Sequence, residues 1–190
     1  MAIYSIWLAY PCGKGTGNGK RKEATEKRGL CNYRTTPDCI PHVLDKKNVD
    51  MLVGHKVFTE AELKSRCEIQ LENYCKTVVI EANTMVNMAK TLIAPAVEAY
   101  AADVAKAVAA KRLVDANLPC KYESKLIKNL SALTDRIASC IEELEMALQE
   151  LHEAKDVVDE ANAIRDNVLE KMNALRIACD EAELLTAKKY

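Results

Sequence analysis

Little punctuates the greater part of this chain. Of its 6 glycines the last is Gly54, and beyond Thr59 the only prolines are Pro95 and Pro119. Glycine and proline are the usual markers of turns and sheet boundaries. A stretch so poor in both excludes a β-fold or an α/β enzyme core and predicts a few long helices. A glycine-rich phosphate loop is excluded there too. Aromatic residues make up only 5% of the chain, with one Trp and one Phe. Alanine and leucine therefore carry the apolar face, which suits close packing of slim helices. No run of about 18 uncharged apolar residues exists, so no membrane span is predicted. The start, Met1–Tyr10, lacks a basic region and a small-x-small cleavage site, so no signal peptide is read. Charge is balanced, 27 basic residues against 28 acidic for a net of −1. That excludes the basic excess of a nucleic-acid binder or a binder of anionic membranes.

What is present falls into unequal parts. Met1–Tyr10 resembles a short strand, and Gly13-Lys14-Gly15-Thr16-Gly17-Asn18-Gly19-Lys20-Arg21 follows it. The P-loop pattern fails there. Lys14 stands where the first glycine should be, and Arg21 where Ser or Thr should bind magnesium. Residues 1–22 are thus an unassigned, flexible or non-native leader. Glu23–Arg28 reads as a short helix ended by Gly29. Thr35-Thr36-Pro37-Asp38 is an N-cap with proline at the first helical position, and Pro41 limits that helix to about a turn. Asp45–Val53 is a further short helix, closed by Gly54.

Three long helical patterns follow. The first opens on a capping box, Thr59-Glu60-Ala61-Glu62. Its apolar stripe runs through Cys67, Leu71, Tyr74, Val78, Ala82, Met85, Ala89, Leu92, Ala96, Tyr100 and Val104. Pro95 lies inside it, removes one backbone hydrogen bond and should kink it there, and it should fade near Lys111–Asn117. The second has a heptad seam of the coiled-coil kind: Leu126, Leu130, Leu133, Ile137, Cys140, Leu144, Ala147 and Leu151. The third runs through Val157, Ala161, Ile164, Val168, Met172, Leu175, Cys179 and Ala182, with one step of four where three is due. A tight reversal is predicted at His152–Asp156, with Asp156 capping the third helix. At about 1.5 Å per residue, helices of roughly 30 residues are about 45 Å long and can cover one another. The fold class is therefore mainly α: long antiparallel helices in a three-helix, coiled-coil-like bundle, preceded by short helices and the irregular leader.

Candidate chemistry is sparse. His42, His55 and His152 are scattered and lie at no metal-ligand spacing to cysteine or carboxylate. Glu142, Glu143 and Glu145 form an acidic cluster, but the Glu-x-x-His pairs of a di-metal bundle are missing, so a solvated face is predicted. Met85 and Met88 read as core. Glu72, Asn73 and Glu81 could place a polar group near the seam of the first helix, or lie on its surface. The 8 cysteines include no Cys-x-x-Cys pair. Cys67, Cys75, Cys140 and Cys179 sit within helical patterns, as reduced and mostly buried thiols. No catalytic, cofactor-binding or metal-binding residue is assigned.

The stretches Phe58–Arg66, Leu71-Glu72-Asn73-Tyr74-Cys75-Lys76-Thr77 and Ile80-Glu81-Ala82-Asn83-Thr84-Met85 resemble class III glutamine synthetase. Upstream, Glu26–Leu30 and Thr35–Asp38 resemble the end of that family's catalytic domain. Downstream, Ile93–Val97, Ile164-Arg165-Asp166 and Met172–Arg176 resemble its helical C-terminal region. The likeness runs from about Glu23 to Tyr190. It implies a division into the leader 1–22, the end of a catalytic domain at 23–57 and a helical C-terminal domain at 58–190. It further implies a cytoplasmic protein of nitrogen metabolism from a family that ligates ammonia to glutamate with ATP and magnesium or manganese, in ring-shaped oligomers. The family's catalytic, ATP-binding and metal-binding residues have no counterpart here. The expectation is therefore a fragment, or a coding region read from a misplaced start, that is not itself an enzyme. Its partners would be other copies of itself or the rest of a synthetase subunit. A free-standing adaptor that recruits a partner helix through its heptad seam is the alternative.

The leader offers little that could pack. Deleting Met1–Lys22 should leave helicity and melting temperature nearly unchanged. A fall of more than about 5 °C, roughly 1 kcal/mol in a domain of this size, would make the leader part of the core.

Overall fold

The computed structural model describes Lys27 and residues 33–190, and every regular element among them is helical. The strand-like Met1–Tyr10 and the glycine-rich stretch lie outside the described residues. So does most of the short helix expected at Glu23–Arg28, of which only Lys27 is described, as helical.

Two short helices come first. Helix α1, Thr36–Cys39, is capped by Thr35, whose side chain accepts from the Asp38 backbone N–H, and proline stands in its first turn. A 3-10 turn, Ile40–Leu44, replaces its continuation at Pro41. Helix α2 spans Lys46–Gly54. Gly54 was expected to supply the helix stop, but the left-handed residue is Lys56, with φ 55°. Its N–H donates to the Val53 carbonyl, and that of Val57 to the Leu52 carbonyl. This is a Schellman closure, formed here without the usual glycine.

The long helix that follows runs from Glu60 to Val114, about 80 Å at 1.5 Å per residue. Its capping box is formed: Thr59 N–H donates to Glu62 Oε2 at 2.7 Å, and Glu62 N–H to Thr59 Oγ1 at 3.3 Å. Helix α3 covers Glu60–Met88 and α4 covers Ala94–Val114, joined by a π turn at Ala89–Ile93. Pro95, in the first turn of α4, has no N–H to donate, and its ring would crowd the carbonyl one turn back. The chain answers with wider hydrogen bonding just upstream, where Ala94 N–H donates to the Ala89 carbonyl. The proline's disturbance is thus a π turn, and the helix passes through it.

Helix α5, Lys121–Glu150, returns along α4, with Lys111 paired to Glu123 and Lys90 to Glu145 (2.6 Å). The reversal is a 3-10 turn at Leu151–Glu153. Asp156 then caps α6, Val157–Ala163, by accepting from Asp159 N–H at 2.8 Å. A second π turn, Ile164–Val168, leads into α7, Leu169–Leu185. The extra step of four between Val168 and Met172 in the apolar pattern is the residue that this π turn inserts. Lys171–Glu143 and Arg136–Glu181, both 2.7 Å, set α7 antiparallel to α5. The three long helical segments therefore pack together. Beyond Asp103, which accepts from the Tyr190 hydroxyl, α4 and the start of α5 continue past the end of α7 as a two-helix arm.

The core is aliphatic and thiol-bearing: Leu71, Cys75, Val78, Ala82, Val86, Leu130, Ile137, Leu144, Ile164, Leu175 and Cys179 are among its members. No buried polar or charged residue occurs among the described residues. Of the expected stripe of the first long helix, Cys67, Leu71, Val78, Ala82 and Ala89 are buried, and at four places the seam falls one residue on. Cys75, Val86, Ile93 and Val97 are buried where Tyr74, Met85, Leu92 and Ala96 were predicted, and Leu92 is 51% exposed. Each site offers two adjacent apolar residues, and the pattern alone does not say which faces the neighbour. In α5 the heptad holds at Leu126, Leu130, Ile137, Leu144, Ala147 and Leu151, while Leu133 and Cys140 are only half-buried. Ile141, outside the predicted seam, is buried as well. A helix covered by two partners needs a wider apolar face than one coiled-coil seam.

Ile137 is fully buried at the centre of this packing, whereas Glu143 makes only an exposed pair with Lys171. Ile137→Ala should cost about 2–5 kcal/mol in a denaturant titration. Glu143→Ala should cost no more than about 0.5 kcal/mol. Equal losses would mean that the α5 register is wrong.

Candidate functional site

The best-built polar cluster joins α1 to the second π turn. Thr35 is held by the cap that starts α1, and this places Asp38 one turn on. Thr35 Oγ1 donates to Asp38 Oδ2 at 2.6 Å. Arg165, the second residue of the π turn, reaches Asp38 Oδ1 with Nη1 at 2.5 Å. Its Nε and Nη2 donate to the two oxygens of Asp166 at 2.7 and 2.8 Å. Adjacent residues on a regular helix do not face each other, so this bidentate pair goes with the irregular turn. The Arg165 and Asp38 side chains are about two-thirds buried, at 27% and 35% exposure. The Thr35 hydroxyl, and after it the Arg165 guanidinium, hold the Asp38 carboxyl below its ordinary value. Arg165 does the same to Asp166, and Asp166 foremost holds Arg165 in its charged form.

This cluster binds rather than reacts. Both carboxylates are engaged by a permanent cation, which leaves no base to accept a proton. What it does is tie the segment before Thr59 to the third long segment. The Cys67 thiol ties the same segment to the first long helix by donating to the Ile40 carbonyl at 3.8 Å.

The other candidates remain apart. Nδ1 of His42 lies 3.0 Å from Asp45 Oδ2, and the ring stacks on Tyr33. His55 and His152 are exposed. Among the described residues no group of three or more His, Cys, Asp or Glu could hold a metal ion. The acidic cluster of α5 is dispersed, with Glu143 turned to Lys171 and Glu145 to Lys90. Glu72 pairs with Lys76 at 2.8 Å and Asn73 is exposed, so the surface reading holds for both. Cys67, Cys75, Cys120 and Cys179 are buried free thiols, and Cys140 is half-buried. Burial raises the Cys75 thiol to about 11 and the Cys179 thiol to about 12. Neither is a thiolate, and hence a nucleophile, near neutral pH. Among the described residues no helix is long and apolar enough to cross a membrane.

Sequence reasoning named both Thr35–Asp38 and Ile164–Asp166 as carriers of a family likeness, but not their meeting. The two motifs are 127 residues apart, and no periodicity encodes such a contact. The family model for the glutamine synthetase C-terminal domain matches residues 13–112. The chain belongs to the glutamine synthetase C-terminal domain family. It is 33% identical to a glutamine synthetase of Butyrivibrio fibrisolvens over 178 residues, covering 92% of this chain and 25% of that protein. A type-3 glutamine synthetase of Dictyostelium discoideum is 27% identical, over 90% of the chain and 24% of its own length. The glutamine synthetase of Bacteroides fragilis (strain YCH46) is 24% identical, over 86% and 23%. The chain thus spans about a quarter of the length of the curated relatives it matches. The class III resemblance agrees with the type-3 relative.

The Asp38 clasp makes stability depend on acid. A carboxyl whose folded value is depressed contributes stability that is present above its ordinary value, 3.8, and lost as pH falls through the lower folded value. Asp38→Asn should therefore lower the melting temperature at neutral pH, and the gap from the unchanged protein should close toward about pH 2. A gap that stays constant across that range would show that Asp38 is not part of a charged clasp.

Proposed function

We propose that this chain is the helical C-terminal part of a class III glutamine synthetase, serving as a structural and assembly module while other parts of the enzyme carry the ligase chemistry. The observation that carries the reading is the match to the glutamine synthetase C-terminal domain, together with relatives that align over nearly the whole chain but only a quarter of themselves. In this reading 58–190 form a three-helix, coiled-coil-like domain, and residues 23–57, which the C-terminal-domain match also spans, lead into it from the end of the catalytic part. The family's ATP and divalent metal bind outside this chain, and the setting is the cytoplasm. The clasp between Asp38 and Arg165 then fixes the way the helical domain leaves the catalytic one. The adaptor alternative has less support, because Leu130, Ile137 and Leu144 of the α5 seam are already filled from within the chain.

Two assays test the proposal. The purified chain, from a host lacking glutamine synthetase, should form no glutamine from glutamate, ammonia and ATP with magnesium. A chimera in which it replaces the matching quarter of the Butyrivibrio fibrisolvens enzyme should assemble and be active. Glutamine formation by the chain alone would overturn the division of labour, and a chimera that does not assemble would overturn the structural role.

A further inference from the structure

Helix α2 buries none of its 9 residues, whereas α1 and each of α3 to α7 bury at least one. Its apolar residues are covered in part only. Val49 and Leu52 are half-buried, Val53 is exposed, and Met51 is 54% exposed. The Schellman closure folds the residue beyond it back toward the last turn, here Val57 toward Leu52 and Met51. Val57 is 56% exposed as well. A helix this short is marginal in water and is stabilised chiefly by packing its apolar face. Its closure adds a further cost, because Lys56 takes the left-handed conformation that glycine adopts freely. The support from within the chain is local. Asn48 Nδ2 donates to the His42 carbonyl at 2.7 Å, and α2 touches the 3-10 turn before it and α3 after it. The helix thus keeps an apolar patch around Met51 and Val57 that this chain leaves open.

We infer that α2 and the turn through Val57 form the surface against which the catalytic part of the same glutamine synthetase subunit packs. The inference rests on the proposed function and names one contact through which the module acts. The occupant follows from where the rest of the subunit joins. The chain matches the C-terminal domain of its relatives and a quarter of their length, so about 500 residues precede the matching region in them. That sequence leads into the described residues at Tyr33. The Tyr33 ring stacks on His42, with centroids 4.2 Å apart, and His42 Nδ1 lies 3.0 Å from Oδ2 of Asp45, the residue before α2. Helix α2 is about 13 Å long, so its far end lies within about 30 Å of Tyr33. A compact body of about 500 residues has a radius of gyration of about 24 Å. Such a body, arriving at Tyr33, is large enough to reach the whole of α2. Being part of the same chain, it is held at high effective concentration, and a small apolar contact is enough to dock it. Its covering surface is apolar opposite Met51 and Val57.

Met51 is itself the probe. Hydrogen peroxide converts an exposed methionine to its sulfoxide, and the rate at Met51 is read by peptide mass spectrometry against an added methionine peptide. Met51 should oxidise at least tenfold more slowly in the assembled Butyrivibrio fibrisolvens chimera than in the free chain. Val57→Glu should bring the chimera back to within about twofold of the free-chain rate. The same substitution should leave the melting temperature of the free chain within about 2 °C, as expected of a surface site. An amine cross-linker should join Lys47 or Lys56 to lysines of the catalytic part within single subunits. An assembled chimera in which Met51 oxidises as fast as in the free chain overturns this inference alone. So does a Val57→Glu chimera that stays protected, or a larger fall in the free chain's melting temperature, which would make Val57 part of the chain's own packing. Cross-links found only between subunits would assign the cover to a neighbour and overturn the occupant. A chimera that does not assemble with the unsubstituted chain counts against the functional reading and this inference together.

Discussion

One long helix must keep an apolar row in contact with different partners along about 80 Å, and the rest of the fold follows from that demand. From Glu60 to Val114 its inner face meets in turn the 3-10 turn after α1, then α6, then α5. A straight helix drifts against any fixed repeat of contacts. Here the correction comes as inserted residues, one π turn at Ala89–Ile93 and another, in the third segment, at Ile164–Val168. Among the described residues the buried core they keep in phase is aliphatic or thiol, so its stability comes from burial and close packing, with no buried ion pair there to set the register. The surface pairs that mark the antiparallel courses, such as Lys90–Glu145 and Lys171–Glu143, contribute little energy by comparison.

The elements of this fold were legible because their ends are written in local chemistry. The Thr59–Glu62 box, the Asp156 cap, the proline at the start of α1 and the glycine-free stretch each act within a few residues. Buried faces were legible to within one residue. Adjacent apolar pairs such as Tyr74-Cys75 and Met85-Val86 satisfy the same periodicity, and only the neighbouring helix selects between them. The surplus step between Val168 and Met172 did carry the second π turn, though the pattern alone did not distinguish it from an irregular seam. The Thr35–Asp38–Arg165 clasp was not legible. Its parts are ordinary capping and surface residues until folding brings them together.

The same separation of scales explains the functional outcome. Family membership shows in short stretches such as Glu72-Asn73-Tyr74-Cys75, several of whose residues line no reactive centre. Asn73 is exposed, Cys75 is buried with its thiol raised to about 11, and Glu72 pairs with Lys76. Such residues specify how one helix lies against its surroundings. In a helical domain of this kind, identity resides in faces rather than in a constellation of reactive groups.

The two-helix arm beyond Asp103 carries a thermodynamic consequence. Along the body each helix is flanked by two others, but in the arm α4 and α5 have only each other, and Leu113 and Val114 at its end are 88% and 86% exposed. With fewer buried contacts per residue, opening the tip costs less than opening the body. Fraying therefore starts at Leu113–Pro119, all exposed, and spreads inward until it meets α7, where the third helix makes further opening cooperative with global unfolding. The end of α7 thus marks a boundary between a part of the chain that breathes and a part that opens only when everything does.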